Sequence, residues 1–201
     1  MLKGLQISEG DWVPVRYAAI GWSAVLGFLY WVFSIDGIRQ AETVSSITSG
    51  FFVALTVPVV ILLLRDFLTN IRLICGMLLW ITFCLVYFPP AGLTEPLYTL
   101  LGLGGTCLFI TALKRSGNSL WLWLASAGAV WGLASVVRVH GVVFLVAAAT
   151  ALLIHHRFSR AGMAGVVVVA LAFWLSAAPA LVQRTSPMAG RTATTKPPTF
   201  G

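Results

Sequence analysis

Long apolar runs separated by short polar stretches dominate the pattern of this sequence. A helix needs about 20 residues to cross the hydrocarbon core of a bilayer, with a range of roughly 17 to 25. Strict alternation of apolar and polar positions, the pattern of a membrane barrel, is absent. The pattern predicts an all-α, polytopic integral membrane protein with six to seven hydrophobic helices. The apolar runs are Tyr17–Phe33, Ile47–Leu64, Leu73–Phe88, Leu97–Leu113, Leu120–Val137, the short Val142–Ile154, and Met163–Val182.

The polar ends of the chain flank this membrane domain. Residues 1–16 form a polar segment that we expect outside the membrane or next to it, and residues 17–182 form the helical membrane domain. Residues 183–201 are polar and rich in Pro, Gly and Thr, so we expect a disordered tail there. Pro58, inside the second run, is expected to kink its helix without ending it, because neighbouring helices can satisfy the carbonyl that it frees.

Composition supports lipid as the main solvent of this chain. It is 59% hydrophobic and 9% charged, whereas a soluble domain carries about 25% charged residues. The formal charge of +7 is spread over short loops and both ends, with no basic stripe, so no nucleic-acid partner is expected. The three cysteines lie in apolar runs without metal-ligand spacing. No metal site and no cofactor are therefore expected.

Basic residues recur in every second loop after the second apolar run. Cytoplasmic loops of membrane proteins carry an excess of Lys and Arg, so these loops predict one cytoplasmic face. The opposite, extracytoplasmic face then receives Glu95, Arg138 and His140. We expect an integral, multi-pass protein of a bacterial or archaeal cell membrane. The loop residues are Arg65 and Arg72, Lys114 and Arg115, and Arg157 and Arg160.

The orientation of the first apolar run stays open on this argument. Strict alternation of sides would place residues 1–16 in the cytoplasm. The Tyr and Trp content of the run instead suits a helix that lies in the membrane interface with both ends outside.

Glu95 stands in "TEP" at the start of the fourth run and has two interpretations. In the first, it is an acid of the first helical turn that complements the helix dipole, with Thr94 as the cap and Pro96 as the first helical residue. In the second, its carboxylate faces an external cavity, where it hydrogen-bonds a sugar or orients a basic group.

Arg138 lies in "ASVVRVHGVVFLV", in a very short break between two apolar runs. A charge there is costly, and charges in such positions commonly mark a substrate or ion path. The guanidinium either snorkels to lipid headgroups or binds the phosphate of a lipid-linked substrate, for which its geometry is suited. His140 either shares this site or is a polar loop residue.

Three stretches together resemble one family of membrane enzymes. They are "SEGDWVPVRYAAIGWSAVLGFLYWVF", "FPPAGLTEPLYTLLGL" and "WGLASVVRVHGVVFLVAAATALLIHHR". They are similar to the multi-spanning GT-C glycosyltransferases, including dolichyl-phosphate-mannose protein mannosyltransferases, bacterial aminoarabinose transferases and the rhizobial galacturonosyltransferase type. Arg16 and Gly21 match the first motif, but Trp22-Ser23 replaces its Tyr-Pro. Val139-His140 replaces the more common Pro-containing pair of the third.

The resemblance implies transfer of a sugar from a polyprenyl-phosphate donor at the extracytoplasmic face, with inversion at the anomeric carbon. Arg138 would contact the phosphate, with His140 and Arg16 beside it. Glu95 would orient the sugar or the arginine. Membrane lipid and the lipid-linked donor are the implied partners. The family also favours an interfacial first helix.

One departure from the family pattern bears on catalysis. Those enzymes have a first transmembrane helix followed by an external loop whose Asp is the catalytic base. No apolar helix precedes residue 17 here, and Asp11 aligns after that Asp, so it is the base only if the chain is complete. The expectation is an internal piece of such an enzyme or a reduced relative. The alternative is a non-catalytic accessory subunit or a lipid or anion carrier, in which Glu95 and Arg138 form a buried pair that fixes helix packing.

Overall fold

The computed structural model describes residues 5–8, 11–14, 20–35, 37–65, 68–87 and 94–185. A hairpin of two antiparallel strands comes first, and helices make up almost all the rest. The strands are β1 (Leu5–Ser8) and β2 (Asp11–Pro14), and the helices are α1 (Ile20–Val32), α2 (Ile38–Leu64), α3 (Asn70–Tyr87), α4 (Glu95–Leu113), α5 (Asn118–Val137), α6 (Val142–His155) and α7 (Arg160–Thr185). A 3-10 turn, Val139–Gly141, joins α5 to α6.

The helical fold predicted from the apolar runs is confirmed, since the described part of each run forms a helix. Among the described residues, four helices are long and apolar enough to cross a membrane: Arg39–Leu64, Glu95–Leu113, Asn118–Val137 and Arg160–Pro179. Large apolar side chains also face outwards, among them Leu79, Leu122 and Leu175, which are 72%, 68% and 74% exposed. A soluble monomer rarely exposes so much apolar surface. These features indicate a membrane protein.

Two local features differ from the sequence analysis. It assigned no strand, yet residues 5–8 and 11–14 pair as a hairpin in which Ile7 lies opposite Trp12. The second helix begins at Ile38, whereas the apolar run begins only at Ile47. Hydropathy marks where a helix meets lipid, and the backbone hydrogen bonds of a helix can continue into polar sequence. Pro58 lies inside α2, as predicted.

Helix α5 packs on α7 through glycines that bring the two backbones together. A methyl group on Gly128 would meet the carbonyl oxygen of Val169, and one on Gly132 would meet the carbonyl oxygen of Phe173. Small residues of this kind let membrane helices approach closely and gain van der Waals contact. Phe173 is almost completely buried in the resulting core.

Helix α5 packs on α4 and α6 through aromatic rings seated over other glycines. The Trp131 and Phe144 rings are stacked, with centroids 5.9 Å apart. A methyl group on Gly105 would lie 2.5 Å from Nε1 of Trp131, and one on Gly102 would lie 2.5 Å from the Phe144 ring. The indole N–H of Trp131 donates a hydrogen bond of 3.2 Å to the Gly102 carbonyl. A buried indole that finds such a partner avoids the desolvation cost of its N–H.

The helix contacts define two ends of the bundle. At one end α4 begins and α5 finishes, and Gly21 of α1 packs directly on Val137. At the other end the start of α7, at Gly165, packs on Leu152 near the end of α6 and on Leu124 near the start of α5. We call the first the acidic-basic end, after Glu95 and Arg138, and the second the basic end, after Lys114, Arg115 and Arg157.

Helix α1 stays near the first of these ends. It has 13 residues, which corresponds to a length of about 20 Å. Its first residues contact α5 at Val137, and the Tyr30 hydroxyl near its other end donates a 3.0 Å hydrogen bond to the carbonyl of Ala41, at the start of α2. Leu62 and Leu63 at the end of α2 line a cleft together with Trp123, near the start of α5, so α2 ends at the basic end and begins at the opposite end. Both ends of α1 therefore lie far from the basic end.

The close approach of α5 and α7 predicts a large effect of one methyl group. We expect Gly128→Ala to lower the free energy of unfolding by about 1 to 3 kcal/mol, because a backbone carbonyl cannot move aside as a side chain can. Thermal unfolding in detergent micelles, followed by circular dichroism, measures this loss.

Gly104→Ala is the matched control for this substitution. Gly104 is also a helical glycine, but a methyl group there would meet nothing within 4 Å. Its stability should stay equal or rise slightly, since Ala favours the helix over Gly. Equal losses in the two variants would contradict the backbone contact between α5 and α7.

Candidate functional site

The candidate site is an ion pair at the end of the bundle where α4 begins and α5 finishes. Nη1 of Arg138 lies 2.9 Å from Oε1 of Glu95. The two residues are 43 positions apart in sequence and belong to different helices, so the pair depends on helix packing. Charges of both signs therefore meet at the acidic-basic end.

The start of α4 positions Glu95. It is the first residue of the helix, and Pro96 follows as the second, buried residue. An acid in the first turn complements the helix dipole. Thr94 occupies the cap position, but its side chain makes no capping hydrogen bond. Its hydroxyl donates instead to Oε2 of Glu95 at 3.4 Å, so the cap expected from the sequence is replaced by a contact to the carboxylate.

A tight break after α5 positions Arg138. Its backbone is extended, with φ −151° and ψ 127°, and its N–H still donates to the Ala134 carbonyl at 2.8 Å. The Arg138 carbonyl accepts a 3.0 Å hydrogen bond from the N–H of Gly141. A methyl group on Gly141 would lie 2.6 Å from the backbone nitrogen of Ser135. The break therefore needs glycine at this position, and it turns the chain just where the arginine leaves α5.

A small apolar cluster lies next to the Glu95–Arg138 pair. Trp22, Leu97 and Val137 are buried together, and each is close in sequence to a helix end at this site. Tyr98, one turn after Glu95, packs on the edge of this cluster. The Tyr98 ring also contacts Phe144 of α6, with centroids 5.8 Å apart. Four helices therefore fix the relative positions of the two charged residues.

The pair is open to the surroundings. The Arg138 side chain is 42% exposed and the Glu95 side chain 31%, so the pair is not the fully buried one of the accessory-protein alternative. An ion pair exposed to this degree contributes about 0 to 1 kcal/mol. A guanidinium has five N–H donors, more than a contact through one nitrogen uses. An anion can therefore bind Arg138 beside Glu95 at little cost to the fold.

The other residues predicted for this site lie apart from the pair or outside the described structure. His140 is exposed in the 3-10 turn, and in residues 94–185 no hydrogen bond or ion pair joins it to Glu95 or Arg138. Arg16 is outside the described residues. Asp11 begins β2, where its backbone pairs with Ser8, and its side chain is not described.

Sequence reasoning missed two neighbours of the pair. Thr94 was expected to cap the backbone and contacts the carboxylate instead. Tyr98 was not considered, although its place three residues after Glu95 puts both on one helix face. Within the described ranges, no three His, Cys, Asp or Glu side chains come together as a metal site would require.

No protein-family model, curated protein or solved structure matches this chain. Its function is therefore argued from the residues of the site and from their geometry.

The partial exposure of the pair predicts a small coupling energy. In a double-mutant cycle of Glu95→Gln and Arg138→Gln, we expect a coupling of about 0.2 to 1 kcal/mol in the free energy of unfolding, because solvent screens the pair. Unfolding of the four proteins of the cycle in detergent micelles measures it.

Leu97→Ala gives the scale for this cycle, since Leu97 lies buried beneath the pair. Loss of such a side chain costs about 2 to 5 kcal/mol. A coupling energy between Glu95 and Arg138 as large as the loss caused by Leu97→Ala would mean that the pair mainly stabilises helix packing.

Proposed function

We propose that this chain forms a binding site for a polyprenyl-phosphate sugar at the extracytoplasmic face of a membrane, as part of a glycosyltransferase. The observation that carries the proposal is the partly exposed Glu95–Arg138 pair at a helix junction. The resemblance to GT-C glycosyltransferases at the stretches around these two residues supports the same assignment.

The chemistry of the pair suits such a ligand. Arg138 would bind two oxygens of the lipid phosphate through parallel N–H donors. As the bond between the sugar and the phosphate breaks, negative charge grows on the phosphate, and a fixed cation stabilises that charge. Glu95 would hold the guanidinium in place or accept hydrogen bonds from sugar hydroxyls. Thr94 and Tyr98 would add hydroxyl groups at the edge of the site.

The membrane arrangement that fits this proposal is multi-pass. Helices α2, α4, α5 and α7 are the long spans, and α3 and α6 cross between them. The basic end then faces the cytoplasm, and the Glu95–Arg138 pair faces the opposite side. Helix α1 lies in the interface on that opposite side, because it contacts Val137 near its start and Ala41 near its end, and both contacts are far from the basic end. Its exposed Phe28 and Trp31 suit a helix that lies in the interface.

Sugar transfer also requires a base that takes the proton of the acceptor hydroxyl. Asp11 is the candidate in this chain, at the start of β2. Donor binding by Arg138 and Glu95 does not depend on that base, so binding and transfer are separate properties to test.

A second candidate function is that of a non-catalytic accessory subunit or an anionic-lipid carrier. The observation that favours it is that the pair joins the ends of α4 and α5, as an ion pair that only stabilises helix packing would. The exposure of both side chains argues for the binding site instead.

We expect the purified chain in nanodiscs to bind a polyprenyl-phosphate sugar, and Arg138→Ala to weaken binding tenfold or more. Losing a charged hydrogen-bond partner of the phosphate costs about 1.5 to 3 kcal/mol, and each 1.4 kcal/mol is tenfold in affinity. Arg138→Lys should bind with intermediate affinity, because Lys keeps the charge and loses the two parallel donors. Scintillation proximity with radiolabelled donor measures all three.

Arg157→Ala is the matched control, since Arg157 is exposed in the turn after α6, at the basic end. Its affinity should equal that of the wild type. Absence of donor binding by a wild-type chain that unfolds cooperatively, or equal losses for Arg138→Ala and Arg157→Ala, would contradict the proposed function.

A further inference from the structure

A row of four aromatic rings leads through the bundle towards the ion pair. The Phe109 and Trp131 rings have centroids 5.6 Å apart, and the stacked Trp131 and Phe144 rings have centroids 5.9 Å apart. The row ends at Tyr98, whose ring centroid lies 5.8 Å from that of Phe144. Aromatic rings attract one another at these separations. The row therefore joins the core of the bundle to the acidic-basic end.

Two sets of contacts hold the Tyr98 ring in place. The first is with Phe144, whose own ring lies directly over Gly102 of α4. The second is with the small apolar cluster that contains Val137. Val137 directly precedes Arg138, so this packing places the Tyr98 ring beside the end of α5. A side chain that is fixed before a ligand arrives loses little rotamer freedom when it binds.

The hydroxyl of Tyr98 is an available hydrogen-bond donor next to the ion pair. Side chains of a helix lean towards its start, which directs the phenol towards the turn that begins at Glu95. The positive charge of Arg138 acts on this phenol, so the two groups lie near each other. Among the residues that the structure describes, the Tyr98 hydroxyl has no hydrogen-bond partner, whereas the Tyr30 hydroxyl donates to the Ala41 carbonyl at 3.0 Å. Tyr98 is also only partly buried.

We propose that Tyr98 is a second phosphate-binding residue, whose hydroxyl donates a hydrogen bond to an oxygen of the lipid phosphate that Arg138 holds. Hydrogen bonds from a hydroxyl to an ionised oxygen are short and strong. The inference rests on the proposed function, since it adds a defined contact to the same ligand. Arg138 supplies the charge of the phosphate site, and Tyr98 supplies a neutral donor in a position fixed by the aromatic row.

Tyr98→Phe removes the hydroxyl and keeps the ring, so it tests this contact without disturbing the aromatic row. We would measure binding of radiolabelled undecaprenyl phosphate, which carries no sugar, to the purified full chain in nanodiscs. Tyr98→Phe should weaken this binding about tenfold, because a hydrogen bond to a charged group contributes about that factor. The unfolding temperature should not fall, since the hydroxyl has no partner within the described residues.

Tyr30→Phe is the matched control, because it removes the same atom from the same end of the bundle. The Tyr30 hydroxyl donates to the Ala41 carbonyl, so its removal should lower the unfolding temperature. The affinity of this variant for undecaprenyl phosphate should stay within twofold of the wild-type value. A purely structural role of the Tyr98 hydroxyl would give the Tyr30 pattern instead, with lower stability and unchanged affinity, and would overturn the inference.

Arg138→Ala, measured with the same lipid, separates failure of this inference from failure of the proposed function. If Arg138→Ala loses tenfold or more and Tyr98→Phe binds as the wild type does, Tyr98 does not contact the phosphate and the proposed function stands. If the wild type does not bind, or if Arg138→Ala binds as tightly as the wild type, the proposed function fails and this inference fails with it. Equal losses of affinity in Tyr98→Phe and Tyr30→Phe would overturn the inference alone.

Discussion

The close packing of α5 between α4 and α7 is the constraint on which the rest of the structure depends. Gly128 and Gly132 let α5 approach the backbone of α7, while Gly102 and Gly105 of α4 make room for aromatic rings. The end of α5 is thereby held against the start of α4. An exposed ion pair of about 1 kcal/mol could not hold two helices in this arrangement. Packing brings the two charges together, and the pair is left available for a ligand.

The same helices carry different chemistry at their two ends. At one end Arg138 meets the Glu95 carboxylate in a partly exposed junction, which is suited to a ligand that offers both a phosphate and hydroxyl groups. At the other end Arg65, Lys114 and Arg115 line a cleft together with leucine side chains. The two ends of α4, with 19 residues, lie about 28 Å apart.

The sequence predicted the parts of this account that follow from periodicity and from the high cost of isolated charges. Apolar runs located every helix among the described residues, and the position of Arg138 between two runs identified it as a functional candidate. Contacts that arise only in three dimensions were not predictable in this way. The Thr94 hydroxyl donates a hydrogen bond to the Glu95 carboxylate, although the sequence alone equally allows it to cap the backbone of α4. The extension of α2 to Ile38 was missed because its first turns are polar, and a search for apolar runs does not detect polar helical turns. The cleft at the basic end depends on three helix ends that are far apart in sequence.

Labelling of single cysteines from one side of the membrane tests the central claim, namely that the Glu95–Arg138 junction and the basic end open on opposite faces. His140→Cys reports the junction and Ser116→Cys the basic end, each in a protein whose three native cysteines are replaced by alanine. In right-side-out vesicles with a membrane-impermeant maleimide, our account predicts that position 140 reacts at once and that position 116 reacts only after permeabilisation. Reaction of both positions from the same side, or of position 116 alone from outside, would contradict it.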